Sequence, residues 1–284
     1  MTQSYELGYL CKLISWVSFE KLIWKYLASN PNAIRLLENH NCIDSLSWYY
    51  LSINPNAIYL LEQNPEKIDW CQLSENPSAI RLLEDILHKP NKAHKINWIN
   101  LSGNPNAIHL LEQNPDKIDW DYLSENPNAI HLLEQNPDKI NWFNLSTNPS
   151  AIHMLEQNPE KIDWWELSCN PSAIHVLEQN PDKIHWWGLL RNPSAIHMLE
   201  QNPDKLHWGV LSDNPNAIHL LEQNQDKICW EWLSGNPSIF EYDYEAMRER
   251  MRPMAEELMA NRFHPRNFEK WIGWGFEEFN ECEF

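Results

Sequence analysis

The chain has 284 residues, of which 43% are hydrophobic, so it is long enough to bury a sizeable core. Its 40 acidic and 22 basic residues give a net charge of −18, which argues against general binding to nucleic-acid phosphates and against docking on anionic membranes. The six cysteines include no CxxC pair, so neither a disulfide framework nor a zinc site is predicted.

Residues 1–23 precede the first copy of an internal repeat, and we expect them to form a helical N-terminal cap. The segment is rich in apolar residues, but Glu6, Lys12 and Glu20 interrupt it, and it has no basic leader region. It therefore predicts neither a signal peptide nor a membrane span. We expect a cytoplasmic chain without membrane contacts.

Residues 24–240 contain ten copies of a repeat that is 22 residues long in most copies. Each copy has a tryptophan seven residues before the proline of an Asn-Pro pair, and a leucine four residues before that proline. The ten tryptophans are Trp24, Trp48, Trp70, Trp98, Trp120, Trp142, Trp164, Trp186, Trp208 and Trp230. The longer copies insert residues just before the next tryptophan, which indicates an exposed loop along one edge.

A single copy predicts two short helices. In residues 120–141, Asn126 and Pro127 are typical of an N-cap and the first helical position, and Ile130 and Leu133 share one face of the helix that follows. An Asn-Pro turn then leads to a second, shorter helix at Trp142. Such short helices are marginal alone, so stacked copies must bury their apolar faces together.

The sequence therefore predicts an all-α solenoid of about ten short two-helix (α/3-10) repeats, whose core contains the Trp, Ile and Leu columns. A β-solenoid is the main rival, but the Asn-Pro caps and the scarcity of Val and Thr oppose it. Residues 241–284 predict a helical C-terminal cap. Within it, residues 241–261 read as an amphipathic helix interrupted near Pro253, and residues 265–274 as a second, short helix.

The repeat "LSxNPxAIxLLEQNPDKIDWxxLS", followed by "YEAMRERMRPMAEELM" and "FHPRNFEKWI", resembles repeat proteins encoded by giant DNA viruses of protists. The resemblance covers nearly the whole chain; it implies a viral source but neither an activity nor catalytic residues. More loosely, "LSxNP…LLEQNPDK" is similar to the leucine-rich variant repeat, a solenoid of alternating α- and 3-10 helices. The 22-residue period and the tryptophan depart from that repeat.

One column of the repeat is rich in histidine. Its members are Arg35, Tyr59, Arg81, His109, His131, His153, His175, His197 and His219. Each histidine precedes a glutamate by three residues, which predicts neighbouring surface positions on one helix. Helices stacked 8–10 Å apart place successive histidines too far apart to share a metal ion. Two readings stay open: a solvated position that was duplicated with the repeat, or an interaction stripe.

The two positions that follow each tryptophan differ from copy to copy, and we interpret them as a candidate variable surface. Aromatic side chains at these positions are candidate hot spots for a partner. They are Tyr122, Phe143, Trp165, Trp187 and Trp232. The alternative is that these positions are partly buried edges or have drifted.

Six near-identical histidine contexts and the absence of nucleotide or nucleophile motifs argue against an enzyme, and no cofactor is expected. We expect a non-enzymatic scaffold, a monomer that binds a protein or peptide partner, in the cytoplasm of an infected host cell or in the virion. The alternatives are a ligand- or metal-binding surface on the histidine stripe and a purely structural virion component.

Overall fold

The computed structural model describes residues 10–39, 47–89 and 91–261. It confirms an all-α repeat solenoid built from short helices that pack on their neighbours. The chain divides into two compact units, one formed by Leu13–Glu241 and the other by Met1–Lys12 with Tyr242–Phe284. The first of these, the repeat unit, contains all ten repeats.

Every repeat begins with a short helix, called helix A, whose first residue is the repeat's tryptophan. The helices A are α1 (Trp24–Leu27), α3 (Trp48–Ile53), α5 (Trp70–Glu75), α7 (Trp98–Gly103), α9 (Trp120–Glu125), α11 (Trp142–Thr147), α13 (Trp164–Cys169), α15 (Trp186–Leu189), α17 (Trp208–Leu211) and α19 (Trp230–Gly235). A second helix, called helix B, follows the Asn-Pro pair. The helices B are α2 (Ile34–Asn39), α4 (Ile58–Gln63), α6 (Ile80–Leu87), α8 (Ile108–Gln113), α10 (Ile130–Gln135), α12 (Ile152–Gln157), α14 (Ile174–Gln179), α16 (Ile196–Glu200) and α18 (Ile218–Glu222).

Local capping explains where these helices begin. The carboxylate of Asp119 accepts hydrogen bonds from the backbone N–H groups of Asp121 and Tyr122, so α9 starts at Trp120. The predicted N-cap, Asn126, caps a turn that precedes the helix: its Oδ1 accepts from the N–H of Asn128, 3.0 Å away. Helix α10 therefore begins at residue 130 rather than at the proline.

The fully buried core contains two leucines and one alanine from each of the first nine repeats, and Leu233 and Ile239 from the tenth. In the fifth repeat Leu123, Ala129 and Leu133 are fully buried. The tryptophans that begin the ten helices A are half-buried, as is most of the Ile column, so both predicted columns line the edge of this core and not its fully buried centre. In seven repeats a lysine covers the exposed part of the indole; for example, Nζ of Lys139 lies 4.2 Å from the ring centre of Trp120.

A ladder of asparagines joins the repeats. The asparagine six residues after each repeat's tryptophan is almost completely buried, and its Nδ2 donates to two backbone carbonyls of the preceding repeat. Asn126, for instance, donates to the carbonyls of Ser102 and Asn104, both at 2.9 Å. The ladder contains Asn30, Asn54, Asn76, Asn104, Asn126, Asn148, Asn170, Asn192, Asn214 and Asn236. Because the accepting carbonyls are buried too, both partners depend on this contact.

The ladder has no free end, because the first repeat packs on the tenth in the same register. Asn30 donates to the carbonyls of Ser234 and Asn236, at 3.1 and 2.8 Å. The N–H of Ile23 donates to the hydroxyl of Ser234, as Asp119 does to Ser102 within the array. The ten repeats of this unit therefore form a closed ring.

Residues before Trp24 complete the tenth repeat. A 3-10 turn at Phe19–Lys21 takes the place of the turn that ends other repeats, such as Pro137–Lys139. Its Lys21 lies 4.8 Å from the ring of Trp230, as Lys139 does over its own tryptophan. Where a helical cap was expected, residues 10–23 thus form a strand and this turn; residues 1–9 lie outside the described part.

Two short strands, β1 (Cys11–Leu13) and β2 (Phe240–Tyr242), form a two-stranded sheet. In the smaller unit, α20 (Tyr244–Asn261) runs without a break although Pro253 lies inside it. Residues 251–260 are all exposed, so water can solvate the carbonyl that the proline leaves without a donor. The second predicted helix, residues 265–274, lies outside the described residues. No helix in the described ranges is long and apolar enough to span a membrane.

Candidate functional site

The histidine column forms a ladder between repeats on the surface of the helices B. The sequence suggested that each histidine lies beside the glutamate three residues later in its own helix. In the structure, each imidazole Nε2 instead lies near the glutamate carboxylate of the preceding repeat. The pairs are His109–Glu84 (2.8 Å), His131–Glu112 (3.0 Å), His153–Glu134 (3.3 Å), His175–Glu156 (3.0 Å), His197–Glu178 (3.1 Å) and His219–Glu200 (2.8 Å). Tyr59 and Arg81 pair in the same way with Glu38 and Glu62.

This ladder gives the column a role within the array. Each side chain is about half exposed, so a single pair contributes at most about 1 kcal/mol. Arg35 holds the same position in α2. Within the described ranges, no group of three or more His, Cys, Asp or Glu side chains is placed to hold a metal ion.

The candidate variable surface lies on the exposed face of the helices A. Tyr122, Phe143, Trp165 and Trp187 are 41, 51, 44 and 39% exposed, although each is a large apolar side chain. Trp232 is half-buried. Two further exposed residues from the same columns, Tyr49 and Ile99, extend the row to earlier repeats. The row is therefore accessible along much of the ring.

A third variable column shares this face, and the sequence reasoning missed it. It is the residue between Leu-Ser and Asn-Pro: Ser29, Ile53, Glu75, Gly103, Glu125, Thr147, Cys169, Arg191, Asp213 and Gly235. It lies four and three positions after the other two columns, so all three point from one side of helix A. That spacing, together with its variation between copies, was the signal available in the sequence.

Contacts that skip a repeat show that these three columns line the concave side of the array. The guanidinium carbon of Arg191, in the eighth repeat, lies 5.6 Å from the ring centre of Trp232, in the tenth. The charges of Glu75 and Glu166, two repeats away on either side, raise the pKa of Glu125. Side chains two repeats apart approach each other only where the array curves inward. We call the three columns together the inner surface.

Carboxyl groups on the inner surface are partly desolvated. Burial raises the pKa of Glu75, and burial followed by the two neighbouring carboxylates raises that of Glu125. The pKa of Glu166 is raised by burial and by Asp163, and is lowered less by Arg191. Burial also raises the pKa of the Cys169 thiol to about 11, so this free cysteine stays protonated and unreactive at neutral pH.

Two histidines support the aromatic row. The rings of Trp165 and His185 stack with centres 3.9 Å apart, and Trp187 lies 4.7 Å from His207. Nδ1 of His185 accepts from the N–H of Gly188 at 3.4 Å, and so takes the capping role that Asp or Asn has in other repeats. The exposed tryptophans are thus held on ordered partners.

These features define the class of protein: a closed ring of ten short helical repeats. The helices B carry the regular His–Glu ladder, which we call the outer ladder, and the helices A carry the variable inner surface. No protein family, curated protein or solved structure matches the chain. The function must therefore be argued from its own residues.

Proposed function

We propose that the protein is a non-enzymatic interaction scaffold whose inner surface binds a protein or peptide partner. One observation carries the proposal: the side chains that differ between repeats converge on one exposed, concave face, while the side chains that repeat build the frame. A frame needs the same residues in every copy, whereas recognition needs different ones. The division of the repeat into constant and variable positions follows that difference.

The exposed aromatics supply the expected binding energy. Large aromatic side chains dominate the energetics of interfaces, and exposed apolar patches of this kind mark interaction sites. Phe143, Trp165 and Trp187 lie in three successive repeats, so a partner could contact them in a row. The outer histidine ladder is already engaged with glutamates and offers less to a partner.

The resemblance to repeat proteins of giant DNA viruses supports a viral source, and with it a place in the host-cell cytoplasm or the virion. Closure of the ring supports a monomer, since both faces that an open array would leave at its ends are covered.

Selection of displayed random peptides on the purified protein tests the proposal. We expect peptides to be enriched on the parent and lost on the double variant Phe143→Ala/Trp165→Ala. His131→Asn/His153→Asn, which changes the outer ladder in the neighbouring repeats, is the matched control and should keep the enrichment. Equal enrichment on all three proteins, or none on the parent, would refute a binding role for the inner surface.

A further inference from the structure

The charge of the inner surface is one-sided over six consecutive repeats. From Tyr49 to Cys169, its three columns contain Glu75, Asp121, Glu125 and Glu166 and no lysine or arginine. Within the part of the chain that the structure describes, neither Glu75 nor Glu125 forms an ion pair with a basic side chain. The carboxylate of Asp121 accepts from the neutral amide of Asn141, 2.9 Å away. Arg191 of the eighth repeat partly offsets the charge of Glu166 at the end of this arc, whereas the charges of Glu75 and Glu125 are not neutralised by a basic side chain of the described residues.

The charge is concentrated around Gly103. A Cβ at this glycine would lie 3.3 Å from Oε1 of Glu125 and 3.7 Å from Cδ1 of Tyr122. The carboxylate of Glu125 thus leans over the fourth repeat, in the direction of Glu75 in the third, and the ring of Tyr122 lies beside it. Burial, and after it repulsion by the carboxylates of Glu75 and Glu166, raises the pKa of Glu125. A cation placed over Gly103 would relieve that repulsion.

Exposed aromatic rings lie in the repeats that follow Gly103. Lysines cover seven of the repeat tryptophans, as Lys139 covers Trp120. On the inner surface, Tyr122, Phe143 and Trp165 remain exposed and face water instead. They present apolar area and π faces next to unneutralised carboxylates, a combination that fits a side chain with an alkyl stem and a charged end.

We propose that the inner surface from the second to the seventh repeat binds an extended partner segment that carries lysine or arginine between apolar residues. One cationic side chain lies between Glu75 and Glu125 against Tyr122, and apolar side chains pack on Phe143 and Trp165. The inference rests on the proposed function and specifies its partner. Charge complementarity excludes the phosphate backbone as occupant, and the net charge of −18 disfavours a second copy of this chain.

A synthetic fluorescent peptide of repeated Lys-Leu-Pro units tests the inference, since its prolines keep it extended. We expect it to bind the parent, and Glu75→Gln/Glu125→Gln to weaken binding about tenfold, which corresponds to about 1.4 kcal/mol. The matched control, Glu112→Gln/Glu134→Gln on the outer ladder, removes the same charge and should change the affinity less than about twofold. A peptide with glutamate in place of lysine should not bind.

Each other outcome overturns a distinct claim. Equal weakening by both pairs of variants would show general electrostatic attraction and no site at Gly103. If the glutamate peptide binds the parent but not Phe143→Ala/Trp165→Ala, the partner is not a basic segment. The proposal of an interaction scaffold would still stand. Absence of binding by the lysine peptide would reject the inference, while the peptide selection continues to test the scaffold. If the parent self-associates and Glu75→Gln/Glu125→Gln does not, the inner surface binds a second copy of this chain.

Discussion

The side-chain amide of Asn30 donates a hydrogen bond to the backbone carbonyl of Asn236, 2.8 Å away, and so joins the first repeat to the tenth. The two residues are 206 positions apart in the chain, but the contact is the same one that joins every pair of neighbouring repeats. The ladder therefore has one kind of bond, used all the way around the ring.

Loss of a ladder asparagine should be costly. Asn126→Ala removes two bonds to buried carbonyls and a third to the N–H of Asn128, so we expect unfolding to become easier by about 2–4 kcal/mol. Chemical denaturation measures the change. Asn128→Ala, which removes a single exposed bond to the carbonyl of Pro105, is the control and should cost under about 1 kcal/mol. Similar costs for both would contradict the ladder.

Closure of the ring can be tested with the same measurement. Asn30→Ala should destabilise the protein as much as Asn126→Ala, by about 2–4 kcal/mol, because both asparagines make the same buried contacts. If the first repeat were a free end in solution, the substitution at residue 30 would have almost no effect.

Two glycines of the helices A should respond in opposite ways to alanine. A Cβ at Gly188 would lie 2.7 Å from the carbonyl oxygen of Trp165, so Gly188→Ala should force the two repeats apart and cost about 1–3 kcal/mol. At Gly235 a Cβ meets nothing within 4 Å. Gly235→Ala should therefore be neutral or stabilise the helix by up to about 1 kcal/mol, as measured by thermal unfolding.

The histidine ladder should contribute little to stability. The side chains of His131 and Glu112 are 48 and 50% exposed, so His131→Ala should change the free energy of unfolding by less than about 1 kcal/mol. Denaturant titration at neutral pH is the measurement. A loss comparable to that of Asn126→Ala would mean that the His–Glu ladder contributes as much to holding the repeats together as the buried amide does.

Glu125→Gln should change how stability depends on pH. The folded protein raises the pKa of Glu125, so it binds this proton more tightly than the unfolded chain does. Ionisation of Glu125 therefore lowers the stability of the parent as pH rises from its ordinary value, 4.5, through the raised value. We expect Glu125→Gln to exceed the parent in stability at neutral pH and to match it below pH 4.5. Unfolding curves across this range would reveal a constant difference if the charge is not the cause.

The regular spacing of the repeat predicted the fold, since short capped helices with a constant period can only bury their apolar faces by stacking. The sequence did not show that the tryptophans lie at the edge of the core, because size and hydrophobicity alone suggest complete burial. Trp120 packs partly against the core and partly against the ammonium group of Lys139. A hydrophobicity pattern does not predict such a cation–π contact.

The candidate site was predicted in part. Phe143, Trp165 and Trp187 were identified from their variation, but Glu75 and Glu125 were not, because their column lies next to the invariant Asn-Pro pair. Ring closure was also missed. The stretch Lys21 to Trp24 matches the end of a repeat, but whether an array closes depends on the small rotation from each repeat to the next, which the period does not contain.

Closure also changes how the protein can come apart. In an open array, the outermost repeats have one neighbour each and fray first, so their amide protons exchange with solvent fastest. Here the repeats of α1 and α19 are bonded to a neighbouring repeat on both sides, so both helices should be protected as well as α9. Unfolding of any single repeat must break its interfaces with both neighbouring repeats. Amide exchange across the ten helices A should therefore report one shared, global unfolding event.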